Sequence, residues 1–573
     1  MKYVLGINSY HADSSACIFK DNQLIFAIEE EKLIRKKHWS GFPKTSILAA
    51  INECKIDANE ITDVAININP KANLLRKTFY FGKNYLLGKK KFEIFNRLKK
   101  RIGIKNELYK IGIKNAKIHY IEHHLSHIAS AYYASGFKNA VGLSLDGFGD
   151  FASLAISDCK NNNIQIKKKV FFPHSLGVFY EASTQFLGFS NYGDEYKVMG
   201  LSGFGKPTYF EKILENLFNN DQNFYKLNLK FFNHVRNDFN YKFEGSLNQN
   251  QIFSNEVEEI FKLKKNINTK IPSKEYLDFA ASIQKVFEFY LEKIIYYIKN
   301  NFEYENLVYA GGCALNSKAN QLLFKKNYFK NIFIPYAPGD GGGSIGAAFE
   351  VIKKNLKTNL KNPYLGQSFD KKAIETEINN LDKNLFNFKL YKNEDDLINY
   401  ISIKLSEKNV IGWFQGKIEF GARALGNRSI IADPSNVNIK DMINLKIKRR
   451  ENFRPFAPVV LQEEKSNWFE SDKENLYMSS VEDVKEEKKK IIPGVVHTDG
   501  TARVQSLTYE QNPKFYKLIK CFNNLYGIPI LLNTSFNENE PIVNTPKEAI
   551  SCFLRTKMDI IVLDNYILER KVK

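Results

Sequence analysis

Alternating apolar and polar positions at the start of the chain predict three short strands. YVLGINSY is a strand, HADSSA is a polar turn, and ACIFKDNQLIFAIEEEK contains two further strands joined at Asp21–Asn22. The spacing of apolar residues then becomes helical in TSILAAINEC, before an apolar strand in DVAINI. The chain therefore mixes strands and helices from its beginning.

The same alternation predicts two α/β domains. Residues 1–355 form the first, in which VGLSLD and NLVYAGGCALN are strands and EYLDFAASIQKVFEFYLEKIIYYIKNN and SIGAAFEVIKK are helices. Residues 356–369 lose periodicity and are predicted to be a linker, and residues 370–573 form the second domain. The stretch 207–270 carries no recognisable motif and is interpreted as a cap or insertion, and no internal repeat is recognisable.

Length and composition are typical of a soluble globular protein with more than one core. The 573 residues exceed what a single core supports, and 43% are hydrophobic and 25% charged. No apolar run reaches the roughly 20 residues of a membrane span, and the first residues lack the apolar segment of a signal peptide. Six scattered cysteines without a Cys-x-x-Cys pair argue against a disulfide scaffold or zinc ribbon. These observations predict a cytoplasmic protein without a membrane span.

The net charge of +20 requires an interpretation. Part of it lies in the basic segment 83–101, KNYLLGKKKFEIFNRLKKR, where aromatic residues are interleaved. Lys, Asn and Ile are abundant throughout, as an AT-rich genome would produce, so a solvated basic face is one interpretation. A membrane surface, a polyanion such as nucleic acid, a nucleotide-type acceptor or another anionic substrate remain alternatives.

Two histidines one helical turn apart suggest a metal site. His123 and His127 in EHHLSHIASAYYASGF would face the same way on a helix. Two glycine-flanked aspartates follow strand-like runs, Asp146 in LDGFGD and Asp340 in APGDGGGS. Two imidazoles and two carboxylates suit a divalent ion such as Fe, Mn or Zn, beside a nucleotide's phosphates. The alternative is two histidines bonded to carbonyls at a helix start and two turn-forming aspartates.

The second domain concentrates cations among small residues, which suggests a site for a small polyanion. They lie in GARALGNRS, LKIKRRENFRPFAP and HTDGTARVQS, where acids are sparse. Guanidinium groups match phosphate and carboxylate oxygens with paired hydrogen bonds. A strand in LLNTSFNENEP then places Ser535 where its hydroxyl could hold a nucleotide. The alternative is a set of structural Arg–carboxylate pairs.

The chain resembles the O-carbamoyltransferases of the nodulation-factor, cephamycin and aminoglycoside-antibiotic type, the NodU/CmcH family. The likeness spans nearly the whole length through motifs that occur in the family's order, among them HADSSA, AIEEEKLIRKKHWSGFP, EHHLSHIASAYYAS, DEYKVMGLSGFG, AGGCALNSKAN, EFGARALGNRSIIADP and LLNTSFNENEPIV. It implies an actin-like ATPase (ASKHA, threonylcarbamoyl-transferase-like) domain followed by a YrdC-like α/β domain. It also implies a biosynthetic carbamoyltransferase that uses ATP and carbamoyl phosphate.

The resemblance implies a division of labour between the domains. The C-terminal domain would make carbamoyl-adenylate from Mg-ATP and carbamoyl phosphate. The N-terminal domain would transfer the carbamoyl group to an acceptor hydroxyl of a sugar, nucleoside or natural product, beside Fe(II) or another divalent metal. The implied residues are, for the general base, His11; for the metal, His123, His127, Asp146 and Asp340; for the adenylate in the N-terminal domain, Glu195, Lys197, Gly311, Gly312, Asn316 and Asn320; and for carbamoyl phosphate and ATP, Arg423, Lys448, Arg454, Arg503 and Ser535.

The chain departs from the family pattern in two places, and other functions remain alternatives. Cys313 stands where the family usually has Val, and Asp194 stands where it has Gly. One rival is a tRNA-modifying enzyme that makes threonylcarbamoyladenosine, and another is a nucleic-acid-binding protein with a nucleotide-sensing fold. The sequence leaves open the acceptor, the native metal and whether the chain forms a homodimer. Acceptor specificity could reside in the basic segment 83–101 or the stretch 207–270.

Overall fold

The computed structural model divides into two compact units, Met1–Lys361 and Asn362–Lys573. It describes residues 2–83, 103–220, 224–236, 241–242, 244–246, 248–266, 272–353, 360–382 and 384–571. Nearly all of the basic segment predicted as a charged surface lies outside these residues. Both units combine helices with mixed sheets, so the α/β prediction is confirmed.

The first sheet contains the strands predicted at the start of the chain. Its order is β3-β2-β1-β4-β5, antiparallel across β1, β2 and β3 and parallel across β1, β4 and β5. The turn between β2 and β3 is Asp21–Asn22, and both residues have positive φ, as a two-residue hairpin turn requires. The strands are β1 Tyr3–Asn8, β2 Ser15–Lys20, β3 Gln23–Glu29, β4 Ile61–Ile66 and β5 Lys117–Tyr120.

A second sheet in the same unit repeats this topology. Its strands are β6 Asn139–Gly149, β7 Ala152–Lys160, β8 Asn163–Phe171, β11 Asn306–Ala310 and β12 Asn331–Phe333, and a small hairpin of β9 Tyr241–Lys242 and β10 Asn248–Gln249 intervenes along the chain. The order is β12-β11-β6-β7-β8, with β6, β7 and β8 antiparallel and β6, β11 and β12 parallel. The unit is thus a structural duplication. A sheet order needs only alternating apolar positions, so it can be repeated without a recognisable sequence repeat.

Two helices pack where the duplicated halves meet. The helix His123–Ser135 follows β5 and the helix Gly343–Ile352 follows β12. A Cβ at Gly346 would lie 1.8 Å from the carbonyl oxygen of Ser126, so only glycine permits this close approach. The carboxyl ends of the parallel strands therefore open beside the N-termini of these two helices.

Further helices complete the first unit. They are Glu30–Ile34, Lys44–Glu53, Leu74–Lys83, Ile104–Lys110, Leu176–Phe186, Glu195–Leu201, Phe210–Leu217, Glu256–Phe261, Lys274–Asn301 and Ser317–Lys325. The described part of the stretch 207–270 contains short helices, 3-10 turns and the β9–β10 hairpin. Within the described residues, no helix combines the length and apolarity that crossing a bilayer requires.

The second unit is built on one sheet with helices on both faces. The strands are β13 Phe386–Leu390, β14 Ile411–Phe414, β15 Arg428–Ala432, β16 Ala457–Leu461, β17 Val481–Asp483, β18 Thr501–Arg503, β19 Gln505–Leu507, β20 Ile530–Ser535, β21 Ile560–Leu563 and β22 Tyr566–Arg570. The order in the sheet is β13-β22-β21-β14-β15-β20-β16-β19, and β17 and β18 form a separate pair. The helices are Lys371–Asn379, Glu394–Ser406, Ile439–Met442, Lys465–Trp468, Pro513–Tyr526 and Pro546–Arg555, with a π-helical turn at Ile443–Lys448.

Consecutive strand residues of this sheet enter opposite cores. Ile430 and Val460 belong to one apolar cluster, whereas their neighbours Ile431 and Val459 belong to another. Both faces are therefore covered, which explains why IPILLN and MDIIVLD are continuous apolar runs rather than alternating ones.

The predicted linker 356–369 lies partly outside the described residues, and its remainder is not a free connection. The backbone of residues 363–367 pairs with residues 418–420 through three hydrogen bonds, Gly366 N to Ile418 O, Ile418 N to Gln367 O, and Phe420 N to Pro363 O. The Tyr364 hydroxyl also donates to the carbonyl oxygen of Leu425 at 2.8 Å. These residues belong to the second unit because their backbone groups are satisfied there.

Candidate metal centre and anion site

The paired histidines lie in the first two turns of a capped helix. Glu122 is the N-cap, and its carboxylate accepts the backbone N–H of Leu125 at 2.8 Å. The helix therefore begins at His123, and its C-cap is Gly136 with φ +74. Because His123 and His127 are one turn apart, both rings face the same side, and both are fully buried.

The four residues predicted as metal ligands converge on one point. His123 Nε2 lies 3.0 Å from Asp146 Oδ2 and 3.5 Å from Asp340 Oδ1. His127 Nε2 lies 3.3 Å and 3.4 Å from the same two oxygens, and 3.0 Å from His123 Nε2. The four donor atoms all lie within 4.8 Å of one another.

This donor set fits a divalent ion. Ligand atoms about 2.1 Å from a common ion are about 3.0–3.4 Å apart at octahedral or tetrahedral angles. The distances between donors match that spacing, and Asp340 Oδ1 is a buried atom with no hydrogen-bond partner. Two nitrogens and two carboxylate oxygens suit a borderline first-row metal better than Mg²⁺ or Ca²⁺. These four residues are therefore a candidate site for a divalent metal ion.

Glycines let the backbone approach these ligands. A Cβ at Gly149 would lie 1.9 Å from His123 Cδ2, and a Cβ at Gly312 would lie 2.7 Å from Asp146 Oδ1. The Gly312 N–H donates to this same Oδ1 at 3.0 Å and orients the carboxylate.

Asp146 was predicted in a turn after a strand, but β6 extends to Gly149, and the turn lies at Asp150–Phe151. The strand continues because β7 pairs with it on the far side of an irregularity in register.

Burial and mutual contact perturb these groups strongly. Burial opposes ionisation of Asp146, but hydrogen bonds from both histidines hold its pKa well below the usual range. Burial and repulsion by Asp146 raise the pKa of Asp340. Burial works against protonation of His127, yet the two aspartates outweigh it and raise its pKa to about 10. The cluster thus favours a positive charge at its centre, which a metal ion supplies.

The candidate base lies against the candidate metal site. His11 occupies the turn between β1 and β2, is 9% exposed, and its ring centroid is 4.5 Å from that of His123. Asp150 supports the same region, because its Oδ2 accepts the backbone N–H groups of Asn69 and His123 at 2.8 and 3.0 Å. No motif signal distinguished Asp150 from the other glycine-flanked aspartates in the sequence.

The glycine-rich loop predicted to hold an adenylate follows β11 directly. Gly311 has φ +96, and a Cβ there would lie 2.2 Å from the carbonyl oxygen of Leu145. Asn316 caps the helix Ser317–Lys325 through the N–H of Ala319. Asn320 donates to the carbonyl oxygen of Ala314 at 2.7 Å. The loop therefore lies beside Asp146, with its two asparagines fixing its shape.

Glu195 and Lys197 lie at the start of another helix, Glu195–Leu201. Burial raises the pKa of Glu195 to about 7. The Lys197 ammonium group pairs with Asp194 at 3.1 Å and lies 5.0 Å from the centre of the Phe189 ring. The departure at Asp194 thus supplies a partner for a lysine that the resemblance assigns to ligand binding.

A second group of possible cation ligands was not assigned from the sequence. It consists of Asp13, Glu31 and His38, whose donor atoms lie within 4.8 Å of one another. His38 Nδ1 is 2.8 Å from Asp13 Oδ1, and its backbone N–H donates to Glu31 Oε2 at 2.9 Å. Asp13 is two residues from His11, and the acid-rich run AIEEEK followed by His38 was the signal that could have indicated the group.

In the second unit, topology gathers the predicted anion-binding residues at one edge of the sheet. β20 is antiparallel to both β15 and β16, and β19 is parallel to β16. The beginnings of β15, β16 and β19 therefore lie beside the end of β20. GARALGN leads into β15, ENFRPF leads into β16, and Arg503 lies just before β19. Ser535 is the last residue of β20, so all of these residues lie at the same edge.

Four arginines interact at this edge. Burial and the like charges of Arg423, Arg450 and Arg454 hold the pKa of Arg503 well below its usual value. The buried Arg503 Nε has no hydrogen-bond partner. Arg454 Nη1 lies 3.5 Å from Glu451 Oε2, whereas Arg450 Nε donates to the amide oxygen of Asn444 at 2.7 Å. The like charges that surround Arg503 make this edge suited to an anionic ligand.

Lys448 and Ser535 are brought together, but Lys448 points into the protein. Its ammonium group is almost fully buried and donates to Asn537 Oδ1 at 2.7 Å, to the Asn537 carbonyl oxygen at 2.9 Å, and to Ser535. Lys448, which the resemblance assigns to ligand binding, therefore holds the turn after β20. Through that turn it fixes the position of the Ser535 hydroxyl.

Arg428 is the second arginine of GARALGNRS, one of the cation-rich segments interpreted as an anion site, and it is structural. It is fully buried over the Phe414 ring at 3.6 Å and donates to the carbonyl oxygens of Gln415, Gly416, Asn427, Gln367 and Asn544. Its N–H groups are thus used inside the unit, where a sequence pattern cannot distinguish it from a ligand-facing arginine.

Known proteins match the chain over both units. Two family models match, Carbamoyltransferase N-terminus at residues 3–349 and Carbamoyltransferase C-terminus at residues 402–570. An uncharacterized protein of Synechocystis sp. is 35% identical over 100% of this chain and 97% of its own length. Nodulation protein NolNO of Sinorhizobium fredii is 31% identical over 98% and 80%, and the 3'-hydroxymethylcephem-O-carbamoyltransferase of Amycolatopsis lactamdurans is 30% identical over 45% and 48%. The chain belongs to the carbamoyltransferase family and is a transferase enzyme.

Proposed function

We propose that this protein is an ATP-dependent O-carbamoyltransferase with one reaction in each unit. In the second unit, carbamoyl phosphate, ATP and water would give carbamoyl-adenylate, pyrophosphate and phosphate. In the first unit, an acceptor hydroxyl oxygen would attack the carbamoyl carbon, and the bond to AMP would break. The observation that carries the proposal is the position of His11, next to a buried donor set suited to a metal.

The first unit offers a base beside an electrophilic centre. His11 would accept the proton of the acceptor hydroxyl as the carbon–oxygen bond forms, which contributes typically ~10²–10⁴-fold. A divalent ion held by His123, His127, Asp146 and Asp340 would supply Lewis acidity toward the carbamoyl or phosphate oxygens. The family resemblance assigns the adenylate to the loop at Gly311 and Gly312, which lies beside Asp146.

The second unit offers a site where several arginines lie close together. Arg423, Arg454 and Arg503 would hold the phosphates of carbamoyl phosphate and ATP. The family resemblance places Ser535 beside them, where its hydroxyl group donates to Asn537 Oδ1. Binding a polyanion would relieve the repulsion among the guanidinium groups, because each then gains an opposite charge. Making the unstable mixed anhydride in the polypeptide that uses it would limit hydrolysis.

We also infer the finer fold assignments from this arrangement. The first unit has two sheets of the same topology, with a polar turn after β1 and a glycine-rich loop after β11. This arrangement favours the actin-like ATPase class. The YrdC-like assignment of the second unit comes from the family resemblance. A structure of each unit with an ATP analogue would test both assignments through the position of the nucleotide.

A first experiment tests adenylate formation. The purified enzyme is incubated with ATP and carbamoyl phosphate, without threonine, and pyrophosphate and carbamoyl-adenylate are measured. Both products are expected, because the arginine site would bind both substrates. If pyrophosphate appears only with threonine and bicarbonate, the threonylcarbamoyl-type reaction replaces this proposal.

A second experiment separates the roles in the first unit. His127→Ala is expected to lose the bound metal and the transfer step and to keep adenylate formation. His11→Ala is expected to keep the metal and to accumulate adenylate without transfer. Acceptors are found by incubating small hydroxylated molecules and searching for the added mass of one carbamoyl group. Full transfer by His11→Ala would exclude the base role.

A further inference from the structure

The helix Leu74–Lys83 is held to the first unit along one side. The Tyr80 ring packs edge-on against Phe151 and Phe172, with centroid distances of 5.7 and 5.1 Å. The Arg76 guanidinium carbon lies 5.1 Å from the centre of the Phe171 ring. Asn73, just before the helix, donates to the carbonyl oxygen of Asp150 at 2.8 Å. These contacts fix which side of the helix faces the protein.

Large apolar side chains lie on the outer side of this helix. Leu74 is 50% exposed, Leu75 is 87% exposed and Phe79 is 73% exposed. Leu75 and Phe79 are one turn apart and therefore form one outward face. Leaving both in water forgoes the stabilisation that burial of a leucine and a phenylalanine provides, so an exposed patch of this kind indicates a partner.

The sequence of this helix and its flanking residues is strongly basic. Residues 71–83 contain Lys71, Arg76, Lys77 and Lys83 and no acid. The sequence from residue 84 to residue 101 adds seven more Lys or Arg residues and one acid, Glu93. A short amphipathic helix with Leu and Phe on one side and cations around it is the composition that lies in the interface of an anionic bilayer.

We propose that the helix Leu74–Lys83 is a peripheral docking surface for anionic lipid bilayers. Leu75 and Phe79 enter the boundary between head groups and acyl chains, while the lysines of this region contact lipid phosphates. Leucine side chains favour a bilayer over a nucleic acid, because a phosphate backbone offers aliphatic groups no apolar environment. The surface is distinct from the metal ligands and does not depend on the proposed reaction.

Vesicle co-sedimentation of the full-length enzyme tests this surface. Vesicles of phosphatidylcholine alone are compared with vesicles of equal parts phosphatidylcholine and phosphatidylglycerol. The double variant Leu75→Glu/Phe79→Glu is the test, and Val437→Glu is the control, because Val437 is 72% exposed in the other unit. These substitutions at exposed positions disturb little of the core.

The wild-type enzyme and Val437→Glu are expected to bind the anionic vesicles and to release as salt rises. The double variant is expected to bind these vesicles at least about tenfold more weakly than the wild type. Its pyrophosphate release is expected to equal that of the wild type. Absence of wild-type binding, or equal binding by the double variant, overturns the proposal. Tighter binding of a single-stranded oligonucleotide that the double variant loses would overturn it in favour of a nucleic-acid surface.

Discussion

Gly149→Ala tests the proposed metal centre without replacing any of the proposed ligands. The new methyl carbon would lie 1.9 Å from Cδ2, 2.1 Å from Cγ and 2.5 Å from Nε2 of His123. Ordinary carbon contacts are about 3.5–4.0 Å, so the ring must move by more than about 1 Å. His123 is fully buried, which leaves it little room to move.

The expected effect on metal binding is much larger than the effect on folding. Overpacking in a core costs about 1–3 kcal/mol, which a domain stable by about 5–15 kcal/mol tolerates. Metal–ligand distances tolerate only about 0.2 Å, so displacement of His123 removes one of four ligands. Mutation of the residues that support metal ligands typically lowers metal affinity by about 10–100-fold. Because His123 is itself a proposed ligand, we expect at least this loss.

Elemental analysis and titration with Fe(II) and Zn(II) measure this loss. Gly147→Ala is the matched control, because a Cβ at Gly147 meets no atom within 4 Å. The control should retain metal, and both variants should retain adenylate formation, which we assign to the second unit. Wild-type metal affinity in a folded Gly149→Ala enzyme would refute the assignment of His123 as a ligand.

Three further predictions concern the second unit and the region around His38. Arg503→Ala should lose carbamoyl phosphate-dependent pyrophosphate release without lowering the melting temperature of the ligand-free protein, because it removes a charge repelled by three other arginines. Normal release would place Arg503 outside the site. Arg428→Met should lower the free energy of unfolding in urea by roughly 3–5 kcal/mol, because several buried carbonyl oxygens lose their donor; a loss below about 1 kcal/mol would show that the guanidinium group is not needed. Burial lowers the pKa of His38, but the Asp13 carboxylate outweighs this effect and raises the pKa to about 9. Protonation of His38 therefore stabilises the fold fully below about pH 6.5, and this stabilisation disappears as the pH rises through 9. His38→Gln should therefore be less stable than the wild type at pH 6 and similar to it at pH 9.5, and a difference independent of pH would contradict the His38–Asp13 pairing.

Much of the local structure followed from the sequence because it depends on neighbours along the chain. The turn at Asp21–Asn22 and the helix that carries His123 and His127 one turn apart are set by local periodicity and residue type. The four candidate metal ligands could also be selected from the sequence, since ligand chemistry limits the choice to histidines and carboxylates after apolar strands, and the structure brings these four residues together. Arg428 shows the limit, because the same pattern of arginine among small residues serves a buried structural role.

Only the tertiary structure decided which distant groups meet. The duplicated sheets bring Asp146 and Asp340 to the helix of His123, and Gly312 to Asp146, across long stretches of chain. The tertiary structure also shows that Lys448 holds the turn at Ser535 and that Leu75 and Phe79 face outward. Sequence periodicity determines which face of an element is apolar, whereas the contact between two faces depends on the long-range packing of strands and helices. Packing therefore decided whether each polar or charged side chain serves the fold or remains available to a ligand.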